Sequence, residues 1–237
     1  MADFWTHKLK SLRMPDEVTI FVAAVLRRVE HVWQRREKEL RAVDFSLLEQ
    51  KRAQRGLAAQ YDIFMNTVEI NPFMLLAALV LNDSHSLLMM EQIITHEIMH
   101  AFSYRRIVRA DPRLILCSGV SVQIGNLEAT EVFSESEFRL NEYITNYYSM
   151  RTMRAAPRGT SEQFAVHRML LDTYDDVLVG EIEKIVGSET LYHAYFNGQT
   201  GYLLSCLLAG GVALEPFLAA IEKQDHDLTL ALCFHDK

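Results

Sequence analysis

The chain has 237 residues, of which 49% are hydrophobic and 23% charged, and its formal net charge is -7. This composition is ordinary for a globular protein, and the length allows one large domain or one domain with a small appendage. The negative charge argues against a nucleic-acid partner, because general phosphate-binding surfaces need an excess of Lys and Arg.

The cysteines and the apolar runs bear on the compartment. Cys117, Cys206 and Cys233 are widely spaced without a CxxC pair, which disfavours a disulfide framework and fits a reducing environment. Residues 1–17 lack the apolar core of a signal peptide, and the longest apolar run, residues 73–81, is too short to span a bilayer. We therefore expect a protein made in the cytoplasm, without a membrane span.

The first part of the chain predicts a helix followed by a short strand. Apolar residues recur at spacings of three and four and predict helix over residues 16–55. Its mixed-charge end, residues 34–41, is interpreted as a solvated helix face, with a binding patch as the alternative. In TVEINP, residues 67–72, Val68 and Ile70 alternate with polar residues, which predicts a strand that ends at the proline.

The next elements are predicted to be a helix and a β-hairpin. A helix is expected over residues 87–108, with Asp83, Ser84 or Ser86 as its N-cap. Residues 115–133 predict a hairpin, because apolar residues alternate there and the dipeptide GN at 125–126 marks a turn.

The rest of the chain is predicted to be helical. The predicted helices cover residues 134–153, 162–187, 188–197 and 199–223, with a loop at AAPRGTS and with Gly187 and Gly198 between the last three. Together the elements predict an α+β fold that is predominantly helical, with a small sheet packed on the helix of residues 87–108.

That helix contains ITHEIMHAF, residues 94–102. His96 and His100 are four residues apart, so their imidazoles project from one helix face and can bind one ion. Glu97 lies about 100° around the axis, on the side where a metal-activated water would lie. The flanking residues are uncharged, and two histidines with a glutamate in such a helix would be costly without a metal partner. The alternative is a pair of hydrogen-bonded core histidines.

A hydrolytic zinc site has three protein ligands and one open position, so a third ligand must lie elsewhere in the chain. The candidates are downstream acids and histidines: Glu128, Glu131, Glu135, Glu137, Glu142, His167 and His193.

The stretch LNEYITNYY, residues 140–148, resembles the ligand helix of the gluzincins, zinc metallopeptidases whose HExxH site is completed by a glutamate. Asn141, Glu142 and Thr145 match the NExxT pattern, which implies that Glu142 is the third ligand. Asn146 stands where many members have an aspartate that accepts a hydrogen bond from the first histidine. An asparagine brings no charge there, which implies a lower metal affinity.

The resemblance, which extends loosely over residues 67–150, implies a zincin-like fold. A helical segment would cover residues 1–60 and a metallopeptidase domain residues 61–237. Zn2+ would be held by His96, His100 and Glu142. Glu97 would take a proton from the attacking water and pass it to the leaving amine.

Further residues are expected to support this chemistry. Thr145 and Asn146 would position the metal ligands. Relatives stabilise the oxyanion with an additional side chain, and the candidates for it are Tyr147, Tyr148, His193 and Tyr195. A peptide would add as a strand at a sheet edge, with TVEINP or the hairpin strand near Val120 as that edge.

The leading hypothesis is a zinc-dependent endopeptidase acting on a protein or peptide. Its size resembles that of small bacterial HExxH proteins, which extends the hypothesis to an effector delivered by a dedicated secretion system and acting on a host protein. The alternatives are a catalytically weak or inactive zincin-fold binding or scaffold protein, and a metal hydrolase of a non-peptide substrate. The intact Glu97 favours the enzyme over the scaffold.

Overall fold

A computed structural model describes residues 4–48, 57–110, 113–126, 135–169 and 173–233. The chain divides into two compact units, Met1–Phe102 with Tyr148–Leu171 and Ser103–Tyr147 with Asp172–Lys237. Helices predominate in the described residues, and the strands form two three-stranded sheets. The prediction of a predominantly helical α+β chain with little sheet is therefore confirmed.

The helices are α1 (Phe4–Lys10), α2 (Asp16–Val32), α3 (Glu37–Ala42), α4 (Pro72–Leu81), α5 (Ser84–Phe102), α6 (Glu135–Ala155), α7 (Thr160–Met169), α8 (Tyr174–Val186), α9 (Ser188–Asn197), α10 (Thr200–Ala209), α11 (Leu214–Lys223) and α12 (His226–Cys233). A 3-10 helix covers Gln34–Arg36. The strands are β1 (Asp44–Leu47), β2 (Ala59–Asp62), β3 (Thr67–Ile70), β4 (Arg105–Ala110), β5 (Arg113–Ser118) and β6 (Ser121–Asn126).

The helix predicted over residues 16–55 is wrong in its length. Helix α2 ends at Val32, and Trp33 leaves the helical conformation with φ -108° and ψ 39°. The Trp33 indole N–H donates to the Thr152 hydroxyl at 2.8 Å, and its ring packs edge-on against Phe102 and Tyr148. A long-range contact therefore breaks a helix that the local pattern would continue.

The first sheet has the strand order β1-β3-β2, with β1 parallel and β2 antiparallel to β3. Val68 and Ile70 are fully buried, which confirms the strand predicted in TVEINP. Pro72 ends this strand and begins α4, where the Asn71 side chain caps the helix by accepting from two backbone N–H groups. Strand β3 is central in the described sheet, whereas β2 lies at its edge.

Helix α5 carries the HExxH motif and is shorter than predicted. Its N-cap prediction is confirmed for Asp83, whose carboxylate accepts from the Ser86 N–H at 2.9 Å. The helix ends at Phe102 because the following residues pair as β4 with β5 instead of continuing to residue 108. The strand pairing overrides a local sequence that is compatible with helix.

The second sheet is antiparallel, with the order β4-β5-β6. The predicted hairpin is present as β5 and β6, but its turn is at Gly119 and Val120, while Gly125 and Asn126 belong to β6. Residues 127–133 of the predicted hairpin lie outside the described residues.

The C-terminal helices are shorter and more numerous than predicted. Gly187 and Gly198 end α8 and α9 with φ of +85° and +71°, as predicted. The helix expected over residues 199–223 is two helices, α10 and α11, separated after Gly210. Residues 170–172, within the helix predicted over 162–187, lie outside the described residues.

No single described helix is both long and apolar enough to cross a membrane. Helices α10 and α11 meet that measure only as a pair, and they are bent by 115° relative to each other.

Candidate metal centre

His96 and His100 lie side by side on α5. Their Nε2 atoms are 3.0 Å apart, and the rings are nearly perpendicular at a centroid distance of 4.6 Å. Two tetrahedral zinc ligands with bonds of about 2.05 Å would lie about 3.3 Å apart. The pair therefore fits one shared metal ion, and it equally fits a hydrogen bond between neutral imidazoles.

Glu97 is held in place by the edge strand β2. Its Oε2 accepts a hydrogen bond from the Tyr61 backbone N–H at 2.8 Å. The Tyr61 ring is parallel to the His100 ring, with an angle of 4° and a centroid distance of 6.5 Å. The sequence interpretation did not single out Tyr61, because a backbone donor leaves no side-chain signature.

Glu142 completes a group of three possible metal ligands. One ligand atom from each of His96, His100 and Glu142 lies within 4.8 Å of the other two, and all three residues are half-buried. The described residues contain no second group of three or more His, Cys, Asp or Glu side chains whose ligand atoms lie this close together.

The other third-ligand candidates are not in this group. His193 lies on α9, where its Nε2 is 3.6 Å from the Glu189 carboxylate and its Nδ1 is 2.6 Å from the Asn197 side chain. Glu128 and Glu131 lie outside the described residues. Glu135 and Glu137 in α6 and His167 in α7 are described only in their backbone.

The segment of α6 around Glu142 is fixed by two buried polar residues. Asn141 accepts a hydrogen bond from the Val120 N–H at 3.1 Å. The Thr145 hydroxyl donates to the Asn141 carbonyl oxygen and bonds the Tyr195 hydroxyl, both at 2.8 Å. Unpaired buried polar groups are costly, so these bonds restrict the rotation of α6 and hence the direction of Glu142.

The C-terminal part of α6, which belongs to the first unit, packs beside α5. The Thr152 hydroxyl, which accepts from Trp33, lies 3.8 Å from the sulfur of Met99 on α5.

Asn146 makes a hydrogen bond that the sequence interpretation did not foresee. Its side-chain N–H donates to the Asp175 carboxylate at 2.7 Å. The role expected for Asn146 beside the first histidine stays a prediction.

The oxyanion candidates have different surroundings. The Tyr147 hydroxyl donates to the Glu183 carboxylate at 2.5 Å, and Tyr148 is buried against Trp33. Tyr195 is fully buried with its hydroxyl on Thr145. Their role in oxyanion stabilisation stays a prediction.

Two cysteines are poorly suited to nucleophilic chemistry. Burial raises the pKa of the Cys117 thiol, and it raises the pKa of Cys233 to about 11. Thiols with raised pKa values stay protonated at neutral pH and are weak nucleophiles.

The turn that contacts Asn141 gives a stability prediction. Gly119 has φ +56°, and a Cβ added there would lie 2.1 Å from the Asn141 side-chain oxygen. Gly119→Ala is expected to lower the free energy of unfolding by at least about 2 kcal/mol, because the strain and the clash add. Denaturant unfolding measures this change.

Gly180→Ala is the matched control for that prediction. Gly180 lies in α8, and a Cβ there would have no neighbour within 4 Å. This variant should be up to about 1 kcal/mol more stable than wild type, since alanine favours a helix. Equal stabilities of the two alanine variants would contradict the proposed role of the Gly119 turn.

Comparison of the chain with protein-family models, curated proteins and solved structures gave no match.

Proposed function

We propose that the protein is a zinc-dependent peptide hydrolase of the gluzincin type, with a zincin-like fold, in which His96, His100 and Glu142 hold the ion. The observation that carries the proposal is the mutual approach of these three side chains within 4.8 Å. Two imidazoles and one carboxylate, with a position left for water, form a common ligand set of hydrolytic zinc sites.

The surroundings of the three residues fit a bound metal. The rings of His96 and His100 are half-buried, and Tyr61 flanks the second of them. Partial burial limits the competition of bulk water with the protein ligands for the metal ion. The remaining exposure leaves access for a substrate. When bound, zinc supplies Lewis acidity, which makes water a nucleophile near neutral pH and polarises a carbonyl group.

Glu97 is proposed as the general base. Its carboxylate lies on the same helix as both histidines, and its Oε2 is fixed by the Tyr61 N–H. A carboxylate held in one position can take the proton of the attacking water and deliver it to the leaving amine. The Tyr61 hydrogen bond would keep this base in place while it first takes the proton and then releases it.

The substrate is proposed to be an extended protein or peptide segment that adds to β2. The expectation that TVEINP provides the docking edge is wrong, because β3 is paired on both sides in the described sheet. Strands β1 and β2 lie at the two edges, and it is β2 whose Tyr61 backbone N–H donates to the proposed base. Peptide addition to such an edge brings main-chain hydrogen bonds close to the reacting groups. Delivery of the protein to a host cell stays a prediction.

The test is hydrolysis of a peptide library by the purified protein. Zinc-loaded protein should cleave peptides, a chelator should abolish cleavage, and added zinc should restore it. Cleavage that persists after complete metal removal would contradict a metal-dependent hydrolase. Absence of cleavage by fully zinc-loaded protein would contradict the peptide substrate.

A further inference from the structure

A second candidate site lies in the first unit, in a cavity with a volume of about 370 Å³. The apolar lining includes Phe21 of α2 and Leu87 and Leu88 of α5. The polar lining includes Arg28, Glu91 and Arg158. Cavities of this size hold small organic molecules, whose polar groups are fixed by a few side chains.

The three charged residues form a cluster of one acid and two bases, in which Glu91 and Arg158 are buried and Arg28 is partly exposed. Glu91 accepts from Arg28 Nε at 2.9 Å and from Arg158 Nη1 at 3.0 Å, and Arg158 Nη2 also donates to it. The Glu91 side chain is 5% exposed and that of Arg158 is 3% exposed. One glutamate cannot neutralise two arginines, so the cluster keeps one positive charge. A buried charge of this kind favours an anionic partner.

The arginines also keep donors that no described residue uses. Arg158 Nε is buried without a hydrogen-bond partner. Arg28 contacts Glu91 through Nε, and its two terminal nitrogens make no further hydrogen bond within the described part of the chain. The Arg28 side chain is 23% exposed, so an entering ligand can reach these nitrogens.

The charges at the rim do not cancel this preference. Glu162 also lines the cavity, but it is exposed, so solvent screens its charge. Ser84 and Ser161 lie in the first turns of α5 and α7, whose N-terminal N–H groups carry partial positive charge. These helix ends add to the field of the two arginines.

We propose that this cavity binds a small amphipathic carboxylate, such as a medium-chain alkyl carboxylate. The carboxylate would accept hydrogen bonds from the terminal nitrogens of Arg28, and the alkyl chain would lie along Phe21, Leu87 and Leu88. A single negative charge matches the one uncompensated positive charge of the cluster. The proposal is independent of the metal centre and of peptide hydrolysis.

The experiment is titration calorimetry of the full chain with decanoate and with uncharged decanol, in the absence of zinc. Wild type should bind decanoate at least about tenfold more tightly than decanol, because a hydrogen bond to a charged group raises the affinity by about that factor. Arg28→Gln should lose about tenfold in decanoate affinity and leave decanol binding unchanged. Arg27→Gln, an exposed neighbour on the same helix, should bind decanoate like wild type.

A second variant keeps the test independent of the arginine. Ala24→Phe places a ring in the cavity and should abolish decanoate binding, with thermal melting used to confirm that both variants are folded. No decanoate binding to wild type, equal affinities for decanoate and decanol, or full binding by Ala24→Phe would each overturn the proposal.

Discussion

Glu97→Gln is expected to bind zinc like wild type and to hydrolyse peptides about 10²–10⁴-fold more slowly, the usual contribution of a general base. The glutamine oxygen can still accept from the Tyr61 N–H, so the side chain should keep its position. It cannot take a proton from water, because an amide is not basic at neutral pH. Steady-state rates on one cleaved peptide and the zinc content of both proteins measure the two effects.

Glu189→Gln is the matched control for Glu97→Gln. Glu189 is an exposed glutamate on α9, near His193, so its loss should leave the rate unchanged. A wild-type rate for Glu97→Gln would exclude this residue as the base. Loss of zinc together with activity would assign it to metal binding instead.

The second large effect is expected for His100→Ala. Removing a residue that only hydrogen-bonds to a metal ligand lowers the metal affinity by about 10–100-fold. Removing a ligand itself should therefore lower the zinc affinity by at least about 100-fold. Competition with a chromophoric zinc chelator measures the affinity. Because His100 also lies beside Tyr61, circular dichroism of the metal-free protein should accompany the measurement.

His193→Ala tests whether the effect is specific to the HExxH pair. His193 is a partly exposed histidine. The polar contacts described for its ring are with Glu189 and Asn197 on the same helix. Its removal should leave zinc affinity unchanged. Comparable zinc affinities for His100→Ala and wild type would show that the paired imidazoles are a hydrogen-bonded core pair.

The sequence predicted the elements that depend on local periodicity. The helices carrying His96 and Glu142 were predicted from the local sequence, with Asp83 as an N-cap candidate of the first, and β3 was predicted from the alternation of Val68 and Ile70. Spacing of four residues also placed His96 and His100 on one face. These features depend on residues that are close to each other in the sequence, so their pattern can be recognised from one sequence alone.

The features that the sequence did not predict depend on distant partners. The end of α2 depends on Trp33 meeting Thr152, which is 119 residues away. The hairpin turn lies at Gly119, where Asn141 binds the following backbone N–H, although the GN dipeptide gave the stronger local signal. The Glu91–Arg158 contact joins residues 67 positions apart and leaves no periodic pattern in the sequence.

The most direct test of the proposed zinc site is a crystal of the zinc-soaked protein with an anomalous map at the zinc edge. We expect one peak about 2.0–2.2 Å from a nitrogen of His96, a nitrogen of His100 and a carboxylate oxygen of Glu142. A fully occupied peak elsewhere, or a peak at the histidines with the Glu142 carboxylate turned away and no other protein ligand replacing it, would contradict it.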